Sequence, residues 1–256
     1  MSTEGSQQDP SDLVRHFHAA GRTSGLVVLQ GLHALRHALR FGAQVDVVVT
    51  ADPQELERLA RAYAPELISE LQQRVVVVAQ EVFKQLGPYV PHTGVVSIAH
   101  VVQADAVGLW AAENGAAPLI LLEDPRNLGN LGAVIRVAAA AQAAGVLSTG
   151  AADPWDPVAV RGSAGLHFAL PVGHLQELPP TDRPLLAFAP GGEVLRPERI
   201  PARAVLAFGS ERAGLSSELL DRADECLSLP MRDGVSSLNL ATSVAAVLYS
   251  LRLNGP

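Results

Sequence analysis

Apolar and polar positions alternate along the chain in two periods. Short continuous apolar runs, GLVVLQG (25–31), VDVVVT (45–50), RVVVVA (74–79) and GVVSIAHV (94–101), are rich in β-branched residues and bounded by turn residues, which predicts strands. Between them the period lengthens. In LHALRHALRFG the apolar Leu32, Leu35 and Leu39 recur at helical spacing, Arg36 and Arg40 stand one turn apart, and Gly42 ends the element. PQELERLARAYAPELISELQQ (53–73) reads as helical with one polar face, and EVFKQLG as a short helix. Together these predict an α/β domain over residues 24–103, preceded by a flexible arm, residues 1–23, with one short helix near Leu13.

ADAVGLWAAENGAAP then reads as a connecting helix and loop, giving a linker at 104–116 and a second domain at 117–256. There PLILLED, VLSTG, LPV, PLLAFAP, AVLAFGSE and ECLSLP alternate with helical stretches, and a long C-terminal helix starts at about Ser237. Continuous apolar strands between helices predict a mostly parallel sheet covered on both faces. Such sheets bind ligands beyond the carboxyl ends of their strands. The loops after LILLE, AVLAFG and LSLP are therefore the places to look.

Charge refines this picture. The formal net charge is −7, yet Leu13 to Val45 contains no acidic residue while holding Arg15, Arg22, Arg36 and Arg40 among four histidines. Each alone reads as part of a solvated helix face; as a group they lean toward an anionic partner. The single cysteine, Cys226, excludes an intramolecular disulfide, and no zinc-type Cys/His cluster can be built around it. With no apolar leader and no apolar run of membrane-spanning length, the expectation is a soluble cytoplasmic protein that uses no metal.

The first of the three loops, EDPRNLGNLGAVIR, leads a buried strand into a helix through Gly129 and Gly132, so that backbone could approach a ligand and helix N-terminal amides could meet an anion. It has neither the full dinucleotide glycine spacing nor a Gly-Lys-Ser/Thr, which argues against a Rossmann oxidoreductase and a P-loop. An otherwise apolar, alanine-rich helix follows, carrying Arg136, a guanidinium costly to bury without a partner. In the second loop, LAFGSERAGLS, a strand runs into Gly209 and the isolated acid Glu211; in the third, LSLPMRDGVSSLNLA, Ser237 and Asn239 stand at a helix start. Singly, Gly209 and Gly214 are turn residues, Ser236 or Ser237 a helix cap, and Asn239 a first-turn polar residue.

Taken in order, NLGAVIR (130–136), LAFGSERAGL (206–215) and LPMRDGVSSLNLA (229–241) resemble the three motifs of the SpoU or TrmH family of RNA ribose methyltransferases, part of the SPOUT class. The stretch from GLVVLQGLHALRHALRFG to HTGVVSIA is similar to the L30e-like substrate-binding domain of rRNA-directed members. One departure is visible: the second residue after Met231, usually glycine, is Asp233, with Gly234 following.

The resemblance implies an α/β fold with a C-terminal trefoil knot, a homodimer, and transfer of a methyl group from S-adenosylmethionine to a ribose 2′-hydroxyl, with rRNA favoured over tRNA. Carried onto this sequence, it implies catalytic roles for Arg136, Asn130, Glu211, Ser237 and Asn239. It implies cofactor contacts, largely through backbone, at Gly209, Leu229 and Leu238, with Ala207, Phe208 and Met231 as neighbours. A guanidinium is a poor base near neutrality, so the role expected of Arg136 is electrostatic: holding the phosphate beside the target ribose and stabilising the developing alkoxide, with Glu211 orienting it. Ser237 and Asn239 are expected to fix Arg136, the hydroxyl or the loops. Arg161, in VRGSAGLHFALP, joins Arg15, Arg22, Arg36 and Arg40 as an RNA contact. A nonenzymatic RNA-binding relative is the main alternative, and it would need a damaged motif.

Overall fold

The structure, a computed structural model, describes residues 9–20, 25–112 and 116–254. The chain divides between Val101 and Val102 into two compact units.

The first unit begins with α1 (Pro10–Ala20). This is the short helix expected near Leu13, but it is packed and not loose: Leu13, Phe17 and Ala20 fall at i, i+4 and i+7 and are buried beside Val28, Val49 and Phe83. The apolar stripe docks the helix on the core. Next come β1 (Leu26–Gln30), α2 (Leu32–Arg40), β2 (Val45–Thr50) and α3 (Pro53–Tyr63), the last capped by Asp52, whose Oδ1 accepts the Glu55 N–H at 2.9 Å. The long helical run expected over 53–73 breaks at Ala64 (φ −151°), because Pro65 disfavours helical backbone in the residue before it. It resumes as α4 (Ile68–Arg74), followed by β3 (Val75–Val77), α5 (Gln80–Phe83) and β4 (Val95–His100). The sheet order is β1-β4-β2-β3, with β4 antiparallel to both neighbours and β3 parallel to β2.

The second unit runs α6 (Ala106–Ala111), β5 (Leu119–Leu122), α7 (Leu128–Ala140), β6 (Gly145–Ser148), α8 (Pro157–Gly162), β7 (Val172–His174), β8 (Leu185–Val194), β9 (Val205–Phe208), α9 (Ser217–Arg222), β10 (Glu225–Ser228) and α10 (Leu240–Asn254). Its six strands, in the order β10-β8-β9-β5-β6-β7, are parallel throughout. Side chains alternate across it with the period of two that a pleated sheet imposes. Ile120, Leu122, Leu206 and Phe208 face the core under α7 and α10, whereas Leu119, Leu121, Val205 and Ala207 face Trp110 and Leu219. Each such fully buried leucine or isoleucine is stabilised by about 1.5–3 kcal/mol relative to exposure.

Two details shape the carboxyl-terminal edge of this sheet. First, the pairing of β10 with β8 jumps: Cys226 opposes Ala187 but Leu227 opposes Glu193, so residues 188–192 bulge away from β10. Gly192 is required where the bulge closes, since a Cβ there would lie 2.6 Å from the Cys226 carbonyl oxygen. Second, α10 starts at Leu240 and not at Ser237: Asn239 is the cap, its Oδ1 accepting the N–H groups of Ala241 (2.9 Å) and Thr242 (3.3 Å). Among the described residues no helix is long and apolar enough to cross a membrane.

Candidate active site

The site is built outward from β5. All four residues of LILL are buried, and beyond them Asn127 caps α7, its Oδ1 accepting the Asn130 N–H at 3.0 Å. Leu131, Val134, Ile135 and Ala138 form the buried stripe of α7 at i, i+3, i+4 and i+7. The doubled Asn-Leu-Gly does not bring a ligand to both glycines as expected. A Cβ on Gly132 would sit 2.1 Å from the Ala159 carbonyl oxygen and 2.9 Å from the Gly162 Cα, so this glycine lets α7 cross α8 at close range.

Asn130 joins the three loops. Its Nδ2 donates to Glu211 Oε1 at 2.7 Å, and its Oδ1 accepts from Asn239 Nδ2 at 3.0 Å. The other Glu211 oxygen accepts the Arg126 N–H at 3.4 Å. Because Asn239 also caps α10, its amide is held at both ends, and the chain Glu211–Asn130–Asn239 fixes all three side chains in orientation. Loops more than eighty residues apart in sequence are thereby stitched into one edge.

Beside this network opens a cleft of about 680 Å³, within the range of small-molecule sites. Gly209, Leu229, Leu238, Phe208 and Met231 line it, together with Glu211, Ser237 and Asn239. Gly209 is obligatory: a Cβ would lie 2.0 Å from the Gly214 carbonyl carbon, where the chain folds back in a Ser210–Gly214 bridge. Phe188 and Phe208 stack in the wall, with centroids 4.8 Å apart and planes 7° from parallel. Ala207 is a correction. Its side chain is fully buried on the opposite sheet face, one residue out of phase with Phe208, and it does not line the cleft.

Arg136 is the larger correction. It is exposed and makes no hydrogen bond or ion pair among the described residues, so no burial cost needs offsetting. It lies six helical steps beyond Asn130, which places it roughly 240° around the axis and about 9 Å along it. Glu211 consequently orients Asn130 and not Arg136. Ser237 is exposed and fixes nothing among the described residues.

The residues 117–249 match the model of the SpoU rRNA methylase family. The chain belongs to that family. A protein of Synechocystis sp. named as an uncharacterized tRNA/rRNA methyltransferase is 31% identical over 251 residues, covering 93% of this chain and 87% of its relative. The 23S rRNA (adenosine(1067)-2'-O)-methyltransferase of Streptomyces laurentii is 28% identical, over 93% of this chain and 88% of its own. In structure the chain is similar to the SpoU methyltransferase AviRb from Streptomyces viridochromogenes, solved in complex with AdoMet, at a TM-score of 0.75 and 23% identity over 95% of this chain and 98% of that one.

Among the RNA contacts expected of this SpoU chain, Arg15 pairs with Asp12, while Arg36 and Arg40 share Glu66 at 3.4 and 2.5 Å. The acids come from outside the acid-free span. Arg161 is exposed in the last turn of α8, and Arg22 lies outside the described residues. Sequence reasoning missed Glu123, directly after β5. Its carboxylate accepts both the N–H (2.7 Å) and the hydroxyl (2.6 Å) of Ser216, the cap of α9, and so anchors the far end of the Glu211 loop. An acid at the carboxyl end of a buried parallel strand was the available signal.

Behind α7, His167 is buried with Nδ1 2.7 Å from the Ser163 hydroxyl and Nε2 2.7 Å from the Pro154 carbonyl. Burial pushes its pKa down to about 4, against the opposing effect of the carbonyl. The imidazole is neutral at pH 7 and donates from Nε2 to Pro154, while the single Ser163 hydroxyl proton is shared between His167 Nδ1 at 2.7 Å and the Val160 carbonyl at 3.0 Å.

Proposed function

We propose that this protein is an S-adenosylmethionine-dependent methyltransferase acting on a ribose 2′-hydroxyl of 23S ribosomal RNA. The observation that carries the reading is the Glu211–Asn130–Asn239 chain, which ties the three family motifs into one edge of a single cleft. The relative from Streptomyces laurentii, named for this chemistry on 23S rRNA, supports the substrate class.

The cleft fits the cofactor. Its lining is mostly aliphatic, aromatic and backbone around the Gly209 turn, and it offers apolar walls for a nucleoside with main-chain polar groups at the rim. Bound there, S-adenosylmethionine supplies a methyl group on a sulfonium already activated for displacement. Gly209, Leu229 and Leu238 would hold it, with Phe208 and Met231 as walls. What remains for the chain's own residues is to align the hydroxyl and to stabilise charge on its oxygen. Arg136 would take the adjoining phosphate bidentately and stabilise the alkoxide as the proton departs. Asn130, locked by its two neighbours, would hold the motif loops at fixed spacing, and Ser237, free on the rim, would receive a hydrogen bond from the substrate or donate one to it.

Several family features complete the reading. The chain after β10 would thread the trefoil knot, with α10 drawn onto α7. Two copies would associate through the exposed stripe Thr242, Ala246, Tyr249 and Leu253 of α10, bringing a second subunit to the open side of α7. The first unit would act as the L30e-like substrate-binding domain, with Arg15, Arg22, Arg36 and Arg40 contacting phosphates, and Arg161 of the second unit would add a further contact. The protein would work in the cytoplasm.

The test is transfer of labelled methyl from S-adenosylmethionine to in vitro-transcribed 23S rRNA and to tRNA, followed by mapping of the 2′-O-methylated nucleotide. One site in 23S rRNA is the expected result. Transfer to tRNA alone would move the substrate, and absence of transfer to either would reject the reading.

A further inference from the structure

The arginines of the second unit are unequally employed. Arg222 and Arg252 donate to backbone carbonyls, Arg183 is buried and does the same, and Arg126 and Arg199 pair with Asp124 and Glu193. Arg212 and Arg232 are exposed and, among the described residues, bond to nothing. Both sit on the loops that frame the cleft: Arg212 lines it, and Arg232 follows Met231, which lines it from the opposite loop.

The acids nearby do not neutralise them. Glu211 is the only acidic residue in the cleft lining, and its carboxylate is engaged by Asn130 Nδ2 and the Arg126 N–H. Asp233, next to Arg232 in the chain, forms no ion pair with it. One uncommitted guanidinium, Arg212, therefore lines the cleft, and a second, Arg232, stands on the opposite loop one residue past the lining residue Met231.

From this we infer that Arg212 and Arg232 form a phosphodiester subsite at the mouth of the cleft, gripping the RNA backbone on either side of the nucleotide whose ribose enters. This rests on the reading above that the substrate is RNA. An RNA ribose arrives with one phosphate on its 5′ side and one on its 3′ side, and two planar guanidinium forks on two loops match two phosphates. The cofactor carries a single carboxylate and would leave one of the two arginines unused. The subsite is separate from Arg136, which lies on α7 and outside the cleft lining.

The test compares Arg212→Ala, Arg232→Ala and the double variant with Arg196→Ala, a control whose side chain is also exposed and unpaired among the described residues but stands on neither of these two loops. Three quantities are measured on the full chain: affinity for in vitro-transcribed 23S rRNA across a salt series, calorimetric affinity for S-adenosylmethionine, and melting temperature. Each cleft variant is expected to weaken RNA binding on the order of tenfold and to reduce the log–log salt slope by roughly 0.7–0.9, with the double variant losing about twice that slope. Cofactor affinity and melting temperature should stay at wild-type values, and Arg212→Lys should recover most of the slope.

An unchanged slope would overturn the inference, as would an equal effect from Arg196→Ala, since any surface charge would then serve. Lost cofactor affinity with an intact slope would assign the guanidinium to the cofactor carboxylate and overturn it too. Failure of the broader reading looks different, because wild-type protein would then transfer no methyl to any RNA.

Discussion

The first turn of α7 and the middle of the same helix are opposites. At Asn130 both ends of the side-chain amide are held, at 2.7 and 3.0 Å, by residues from two distant loops. At Arg136, on another face, the guanidinium is exposed and has no hydrogen bond or ion pair among the described residues. One subunit thus preorganises the loops that form the cleft but leaves its chemically most distinctive side chain unplaced. A group that must stabilise charge has to be held when the charge develops. If Arg136 acts as proposed, the group that holds it is the substrate phosphate or a second copy, since no hydrogen bond or ion pair holds it among the described residues. On that proposal Asn130 belongs to the architecture of the site and Arg136 to its chemistry.

Substituting Arg136 should give the largest effect and would break the comparison if it did not. Arg136→Ala is expected to lower the single-turnover methyl-transfer rate on the order of a hundredfold or more, the scale for losing a preorganised donor. Melting temperature and cofactor affinity should be preserved, because the exposed side chain makes no hydrogen bond or ion pair among the described residues and lies outside the cleft lining. Arg136→Lys should restore little, since an ammonium cannot reproduce the planar fork. Rapid-quench kinetics beside a thermal melt decides it, and near-normal turnover in the folded alanine variant would remove Arg136 from the chemistry.

Asn130 should behave differently. Asn130→Ala removes two hydrogen bonds from the exposed Glu211 and Asn239, whose polar groups water can then reach, so stability should fall by about 0.5–1.5 kcal/mol and cofactor affinity with it. Asn130→Asp sets a carboxylate against Glu211 at hydrogen-bond distance, and its deficit should shrink as the pH is lowered and the pair takes up a proton. Denaturation and calorimetry check both. A loss of rate alone, with stability and cofactor binding intact, would place Asn130 beside Arg136 on the reactive side.

The smallest effect on turnover should come from the back of α7. His167 has a folded pKa near 4 and an unfolded value near 6.5, so between these pH values the unfolded chain binds the proton that the folded chain refuses. Stability contributed by the neutral ring is complete above about pH 6.5 and is lost as the pH falls toward 4, amounting to about 3 kcal/mol. His167→Gln should flatten that dependence in urea melts at pH 4.5 and 7.5, while turnover at pH 7.5 stays close to wild type if the support under α7 survives. An unaltered pH dependence in the variant would exclude His167 as its source.

The strands were the legible part of the sequence, because a buried parallel strand has to be a continuous apolar run, and LILL and VLAF could be little else. So was the composition of the cleft, since its motif residues sit on loops following such strands. What could not be read was who bonds to whom. Asn130 meets Glu211 across 81 positions and Asn239 across 109, distances over which local propensity carries no information. The exposure of Arg136 was readable in principle, because the helical period sets it well away from Asn130, and the supposition of a buried guanidinium neglected that period. Leu13 and Phe17 were likewise one apolar stripe taken for part of an arm. Gly132 had a role that only the position of α8 reveals.

The bulge at residues 188–192 separates two properties that a regular strand would couple. Strand β8 keeps its ladder to β9 as far as Phe188, while β10 rejoins it only at Glu193. Phe188, Ala189 and Pro190 therefore belong to the cleft wall without setting the register of the outer strand. A change at Ala189 or Pro190 therefore reshapes the cleft wall without breaking a pair between β8 and β10, while Gly192 and the pairs beyond it hold the edge of the sheet in place.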